Sequence, residues 1–300
     1  MDIWREISLL LPYLKLAINK NLLTLYDDTW FRDKLKCKQH NNSWKLLYKR
    51  SLQSGIFVDR YSDDMLPVEG VKIAGKERFC QLILTFDRTL YFYNSISKDL
   101  TVMDENVTDI CNNYYIKGQE WYDCEFENKL VTKSKEDFLM VVASNMDDCA
   151  AITNNIFYFW DYELIEIKDC NLVKLIYNGF YLVQDINGIV KKFDYQTRSL
   201  IPVPLPKVRN LYSACVVSMN NKVMEIYDEY IGNRYLFQSR KINVEGKIRE
   251  ALFLRSFDCE WKGMLILLDN NLYTFDTELK LIRENVKNLL SHRYYMIEKQ

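Results

Sequence analysis

The sequence predicts a mainly β chain, a seven-bladed β-propeller closed by its own two ends and preceded by a small α-helical module. Three observations carry that expectation: a hairpin phrase recurring over residues 82–276, a half-phrase at each end of residues 55–300, and helical spacing of apolar residues before Gly55.

The phrase is an apolar strand, a short polar turn, and a second strand that ends in an aromatic residue and an acid or amide. Its first copy reads Leu82-Ile83-Leu84-Thr85-Phe86-Asp87-Arg88-Thr89-Leu90-Tyr91-Phe92-Tyr93-Asn94; later copies span Ala150–Asp161, Leu182–Asp194, Val216–Asp228 and Leu265–Asp276. Turns built on Asn-Asn, Asn-Gly or Asp-Asn suit hairpins, because these residues tolerate positive φ. The closing residues Asn94, Asp161, Asp194, Asp228 and Asp276 lie 67, 33, 34 and 48 residues apart. The first interval is nearly twice the second, so a degenerate copy is expected at Tyr114–Val142, with strands at Trp121-Tyr122-Asp123, Lys129-Leu130-Val131 and Phe138–Val142.

After four of the five hairpins come a short apolar piece and a Val: Leu100-Thr101-Val102 then Val107, Leu164–Ile167 then Val173, Leu200–Val203 then Val208, Leu281-Ile282 then Val286. Three or four short strands per unit of roughly 35 residues is the content of a propeller blade. At the ends, Gly55–Asp59 reads as the second half of a hairpin, followed by Met65–Val68 and Val71, while Tyr294–Glu298 supplies a first half. One blade built from both ends leaves no open edge in the ring. With the degenerate copy the count is seven; six is the alternative if that copy is an insertion.

Composition excludes several classes. With 300 residues, 48% of them hydrophobic, the chain can bury a large core. No apolar run approaches the roughly 18 residues of a membrane helix, and Met1–Glu6 lacks a signal-peptide pattern. The expected location is the cytoplasm or nucleus. The eight cysteines are widely spaced without a CxxC, so buried thiols are expected rather than disulfides or zinc ligands. The sequons at Asn41 and Asn106 are then without consequence.

Residues 1–54 differ in kind from 55–300. Ile3, Ile7, Leu10 and Leu14, then Leu22, Leu23, Leu25 and Tyr26, then Trp44, Leu47 and Tyr48 follow helical spacing, with Asp2 and Ser43 as N-caps. This part carries ten Lys or Arg against five Asp or Glu, while residues 55–300 carry thirty against thirty-six.

Asp2–Leu11, Leu14–Phe31 and the following Trp44-Lys45-Leu46-Leu47-Tyr48-Lys49-Arg50 resemble the F-box motif and the helix that often follows it. The resemblance covers about 50 residues. It implies a trihelical module that docks on the Skp-type linker of a cullin–RING ubiquitin ligase, through residues matching Ile3, Ile7, Leu10, Leu14, Leu22, Trp30 and Phe31. A helical module followed by a propeller is a common layout of substrate adaptors in that family, and large DNA viruses encode many such proteins, so a host cell or a virion is included in the expected location. The blades resemble the regulator-of-chromosome-condensation type more than WD repeats, since Gly-His and Trp-Asp do not occur at WD spacing. With nine glycines in the chain, exchange-factor activity is not carried over.

Candidate chemistry is sparse. Gly70–Lys76 fits seven positions of a phosphate-binding loop, but Glu77 stands where Ser or Thr should hold magnesium, and a strand follows. The two histidines, His40 and His292, stand apart from any Cys or His, so no metal site, cofactor site or catalytic triad is expected. The acids closing each hairpin read as turn-formers that accept backbone N–H bonds. Arg32, Lys34, Lys36 and Lys38, with Trp30, Phe31 and Trp44 nearby, form a candidate patch for an acidic protein partner; nucleic acid is disfavoured by the near-neutral chain. The expectation is a non-catalytic adaptor linking a cargo on the propeller to a ubiquitin ligase; the alternative is a structural component of a large, viral-type assembly.

Overall fold

The computed structural model describes residues 53–297 apart from 61–64, 76–79, 125–127, 145–147, 178–179, 204, 206, 213–214, 219–222, 232–233, 243–245, 256–260, 276–277 and 291–293; for 67, 215–242, 253–255, 261–262 and 294 it describes the backbone alone. The chain divides into two compact units, Met1–Gln53 and Ser54–Gln300. The helices expected before Gly55 lie outside the described residues.

The second unit begins with β1 (Gly55–Asp59) and β2 (Met65–Gly70), then runs through six antiparallel meanders. Sheet 1 holds β3 (Lys72–Ala74), β4 (Cys80–Leu84), β5 (Leu90–Asn94) and β6 (Leu100–Asp104). Sheet 2 holds β7 (Asp109–Cys111), β8 (Tyr114–Lys117), β9 (Glu120–Asp123) and β10 (Lys129–Lys133). Sheet 3 holds β11 (Met140–Ala143), β12 (Cys149–Ile152), β13 (Phe157–Asp161) and β14 (Glu163–Ile167). Sheet 4 holds β15 (Leu172–Tyr177), β16 (Tyr181–Asp185), β17 (Val190–Asp194) and β18 (Ser199–Pro202). Sheet 5 holds β19 (Val208–Leu211), β20 (Cys215–Ser218), β21 (Val223–Ile231) and β22 (Arg234–Ile242). Sheet 6 holds β23 (Ile248–Arg255), β24 (Trp261–Leu268), β25 (Asn271–Phe275) and β26 (Leu279–Arg283). Finally β27 (Val286–Leu289) and β28 (Tyr294–Ile297) join β1 and β2 in the order β2-β1-β28-β27, giving seven four-stranded sheets among the described residues.

The core shows why these sheets form a ring. Leu82, Leu84, Val107, Ile110 and Tyr115 pack between sheets 1 and 2, and Trp121, Phe138, Val141, Ala151 and Tyr158 between 2 and 3. Ile152, Phe159, Leu175, Val183 and Phe193 fill the space between 3 and 4, and Ile176, Leu182, Val190 and Val208 that between 4 and 5. Tyr212 meets Ile248, Met264 and Ile266 between 5 and 6; Val58, Leu265, Leu267, Val286 and Tyr295 pack between 6 and the closing sheet. Phe57, Ile73, Ile83, Tyr93 and Met296 join the closing sheet back to sheet 1. Every sheet thus buries both faces against its neighbours, which is a β-propeller.

This geometry explains the unbroken apolar runs of the repeat. In β12, Cys149 and Ala151 face sheet 2 while Ala150 and Ile152 face sheet 4. In β24, Leu265 and Leu267 face the closing sheet while Ile266 and Leu268 face sheet 5. A strand covered on both faces needs apolar residues at every position rather than at alternate ones.

Three expectations are corrected by the structure. The degenerate copy has its hairpin at Tyr114–Asp123 with Lys129–Lys133 outside it, whereas Met140–Ala143 is the first strand of sheet 3. The recurring Val after these hairpins does not end its own blade: Val173, Val208 and Val286 belong to β15, β19 and β27, the first strands of the following sheets. The turns are also more varied than Asn-Gly spacing implies. Gly188 and Asp269 take positive φ as expected, at 79° and 52°, but in the first copy Arg88 does so, at 70°. The Asn154-Asn155 turn instead relies on the Thr153 hydroxyl, which accepts from Ile156 N–H at 3.0 Å.

Closure occurs as the end segments predict. Residues 56 to 59 of β1 pair antiparallel with β28, Ile56 opposite Ile297 and Asp59 opposite Tyr294. Gly55 is required there: a Cβ would lie 2.4 Å from Ile297 O and 2.6 Å from the Met296 side chain.

Candidate interaction surface

The sequence-derived partner residues Ile3, Ile7, Leu10, Leu14, Leu22, Trp30 and Phe31, the basic residues Arg32, Lys34, Lys36 and Lys38, and both histidines lie outside the described residues. The phosphate-loop pattern is accounted for by packing. Gly70 ends β2, where a Cβ would stand 2.8 Å from Leu84 O and the Phe57 ring, and Lys72 begins β3. The hairpin-closing residues act as turn-formers where their contacts are seen. Asn94 Oδ1 accepts from Ile96 N–H at 2.9 Å, and Asp194 Oδ2 from Thr197 N–H at 3.0 Å. Asp123 is buried, while Asp161 is exposed.

Asp161 belongs to a rim site shared by sheets 3 and 4. A meander puts its first-to-second and third-to-fourth connections on the same edge of the ring, so the β11–β12, β13–β14, β15–β16 and β17–β18 turns share one side. There Asp148 Oδ2 accepts the Tyr195 hydroxyl at 3.2 Å. Tyr181 Oη accepts from Ser144 N–H at 3.0 Å and directs its proton to Asp148, 2.9 Å from the carbonyl oxygen and 3.2 Å from Oδ1. The Ser144 hydroxyl also bonds Asp148 Oδ1. Burial raises the Asp148 pKa, the tyrosine hydrogen bonds pull it down, and the neighbouring Asp161 carboxylate raises it further; the net direction is up. Burial and the Asp148 charge push the Tyr181 and Tyr195 phenols well up, so both stay protonated donors.

An aromatic floor fixes these donors. The Tyr195 ring stands edge-on to Phe159 and Phe193, with centroids 5.3 and 5.2 Å away, and Tyr181 is edge-on to Phe159 at 5.6 Å. Beside them Tyr162 is 95% exposed and Tyr195 43% exposed. Tyr162 sits at φ 57°, a left-handed conformation that is unusual for an aromatic residue. An ion pair between Arg198 and Glu163 ties the β17–β18 turn to the β13–β14 turn.

A second polar cluster surrounds the ring axis, where β3, β7, β15 and β23 present Lys72, Asp109, Lys174 and Glu250. Lys72 Nζ bonds Asp109 Oδ1 at 2.7 Å. Burial opposes the Lys72 charge, but Asp109 and its other anionic neighbours outweigh that and raise its pKa. Glu250 is pushed up to about 7 by burial, against the pull of Lys174 and Lys72. Lys174 Nζ stands 5.1 Å from the centre of the Tyr212 ring. Cys111, beside this cluster, has its thiol pushed up by burial. Cys80, Cys111, Cys124, Cys149 and Cys170 are thiols. Among the described residues no group of three or more His, Cys, Asp or Glu is placed to hold a metal ion, and no helix is long and apolar enough to cross a membrane.

The rim site was partly legible in sequence, since a tyrosine follows the closing acid in two adjacent copies, as Asp161-Tyr162 and Asp194-Tyr195. Asp148, Tyr181, Lys72 and Glu250 carry no such signal, because the fold brings them to their partners across sheet boundaries.

No family model matches the chain, and no curated protein matches its sequence. Solved structures with a similar fold include the β-propeller domain of Cps50 (Swd1) from Myceliophteria thermophila, with TM-score 0.49 and 11% identity over 71% of this chain and 85% of that one. YCF48 bound to D1 peptide gives 0.48 and 9% over 76% and 81%, and the C-terminal WD40 domain of Sif2 gives 0.48 and 9% over 73% and 72%.

Proposed function

We propose that the chain is a non-catalytic protein-interaction adaptor, in which the propeller presents a cargo surface and the F-box-like residues 1–54 engage a Skp-type linker of a cullin ubiquitin ligase. The observation that carries the cargo half is the rim of sheets 3 and 4, where Tyr162 and Tyr195 are exposed on a floor of packed aromatics. Exposed tyrosines on a rigid scaffold are the usual anchors of protein interfaces. The linker half is supported by the resemblance of Asp2–Leu11 and Leu14–Phe31 to the F-box motif. A pull-down with purified Skp-type linker tests it. Capture by the full-length chain, lost on removal of residues 1–54, is the expected result. No capture by a folded full-length chain overturns the ligase connection and leaves the structural-component reading.

A further inference from the structure

We infer that the rim at Tyr162 and Tyr195 receives a lysine or arginine side chain from an extended basic segment of a partner protein. This deepens the cargo half of the proposed adaptor and rests on it.

Three features converge on that chemistry. First, Asp148 and Asp161 are close enough to repel one another, and among the described residues neither forms an ion pair. A cation lying between them relieves that repulsion. Second, the nearby cation Arg198 is already held by Glu163, so it stiffens the two turns and leaves the Asp148–Asp161 pair to a partner. Third, the wall beside the carboxylates is tyrosine, whose ring face attracts Lys or Arg. The rings are held in place before binding: Tyr195 is packed on Phe159 and Phe193 and bonded through its hydroxyl to Asp148. Tyr162 stands almost fully in solvent in a strained turn. An acidic peptide or a nucleic acid phosphate would meet Asp148, Asp161 and Glu163 with like charge. A segment rather than a folded face suits the rim, because the accessible part is the width of two neighbouring turns.

The test is fluorescence anisotropy of fluorescein-labelled (Gly-Lys-Gly-Arg)3 with the full-length chain, beside the same peptide with Glu at every charged position. The basic peptide is expected to bind and the acidic one not to. The exposed pair Tyr162→Gly and Asp161→Asn, made together, should weaken binding at least tenfold without changing the far-ultraviolet spectrum. Glu278→Gln, which removes an exposed carboxylate of sheet 6, should leave it within twofold. Equal loss in the Glu278→Gln chain would mean attraction to the overall negative charge of the propeller, and would overturn the inference. So would equal binding of the acidic peptide, or no binding at all. Linker capture by a chain that ignores the basic peptide overturns this inference alone; peptide binding without linker capture overturns the ligase connection alone.

Discussion

Glu250 ties stability to pH near neutrality. Its carboxyl stands at about 7 in the folded chain against an ordinary value of 4.5, raised by burial, with Lys174 and Lys72 facing it. The folded state therefore keeps a proton that the unfolded state gives up between pH 4.5 and 7. Stability from this group is full below that window, falls as the pH rises through it, and is level above. Glu250→Gln should flatten that part of the profile and leave the chain on the order of 2 kcal/mol more stable at pH 8. Urea unfolding at pH 5 and pH 8 checks this; a variant less stable than the parent at pH 8 would show that the carboxylate is net favourable. Tyr162 offers a second residue-scale prediction. A tyrosine at φ 57° with its side chain in solvent costs stability without packing to offset it. Tyr162→Gly should raise stability by about 0.5–1 kcal/mol, while the rim loses its exposed ring. A fall in melting temperature would contradict that reading.

At the scale of elements, the turns decide register. Gly188 closes the β16–β17 turn at φ 79°, donating to Asp185 O at 3.0 Å, and its absent Cβ makes room for Val208 O, which would lie 2.6 Å away. Gly188→Ala meets both a disfavoured backbone and a neighbouring strand, so a loss of roughly 2–3 kcal/mol is expected in thermal unfolding. An unchanged midpoint would mean that β19 shifts freely. The hairpins themselves were legible, because a strand buried on both faces writes an unbroken apolar run and an acid follows it. Leu182–Asp194 and Leu265–Phe275 fall on the second and third strands of sheets 4 and 6. The first strands were harder to assign. Val173 and Val208 follow a hairpin in sequence, yet they lie in the first strands of the next sheets, and no local pattern records which sheet a strand joins. The degenerate copy was misplaced for the same reason: Phe138 packs between sheets 2 and 3 beside Trp121 and Tyr158, so its apolar character does not say which sheet owns the strand that follows. Asp148 lay beyond sequence reasoning because the tyrosines that hold it are 33 and 47 residues away.

For the propeller as a whole, closure is the element shared by both ends of the unit. β28 supplies Met296 to the core between the closing sheet and sheet 1, and Tyr295 to the core between the closing sheet and sheet 6. Met296 is fully buried beside Phe57 and Ile73. Met296→Ala should cost about 2–5 kcal/mol in urea unfolding, as for a large core truncation, and a loss under 1 kcal/mol would indicate that the closing sheet adds little to the ring. The rim and the ring serve one account: a rigid closed scaffold carrying a tyrosine and carboxylate surface for a basic segment, joined to a basic module that resembles an F-box. That account requires two partners at once. Size-exclusion chromatography with light scattering, on full-length chain mixed with purified Skp-type linker and a maltose-binding protein fused to (Gly-Lys-Gly-Arg)3, measures this directly. A single complex containing all three chains is predicted. Complexes that exclude one another, or a chain that elutes alone, would contradict it.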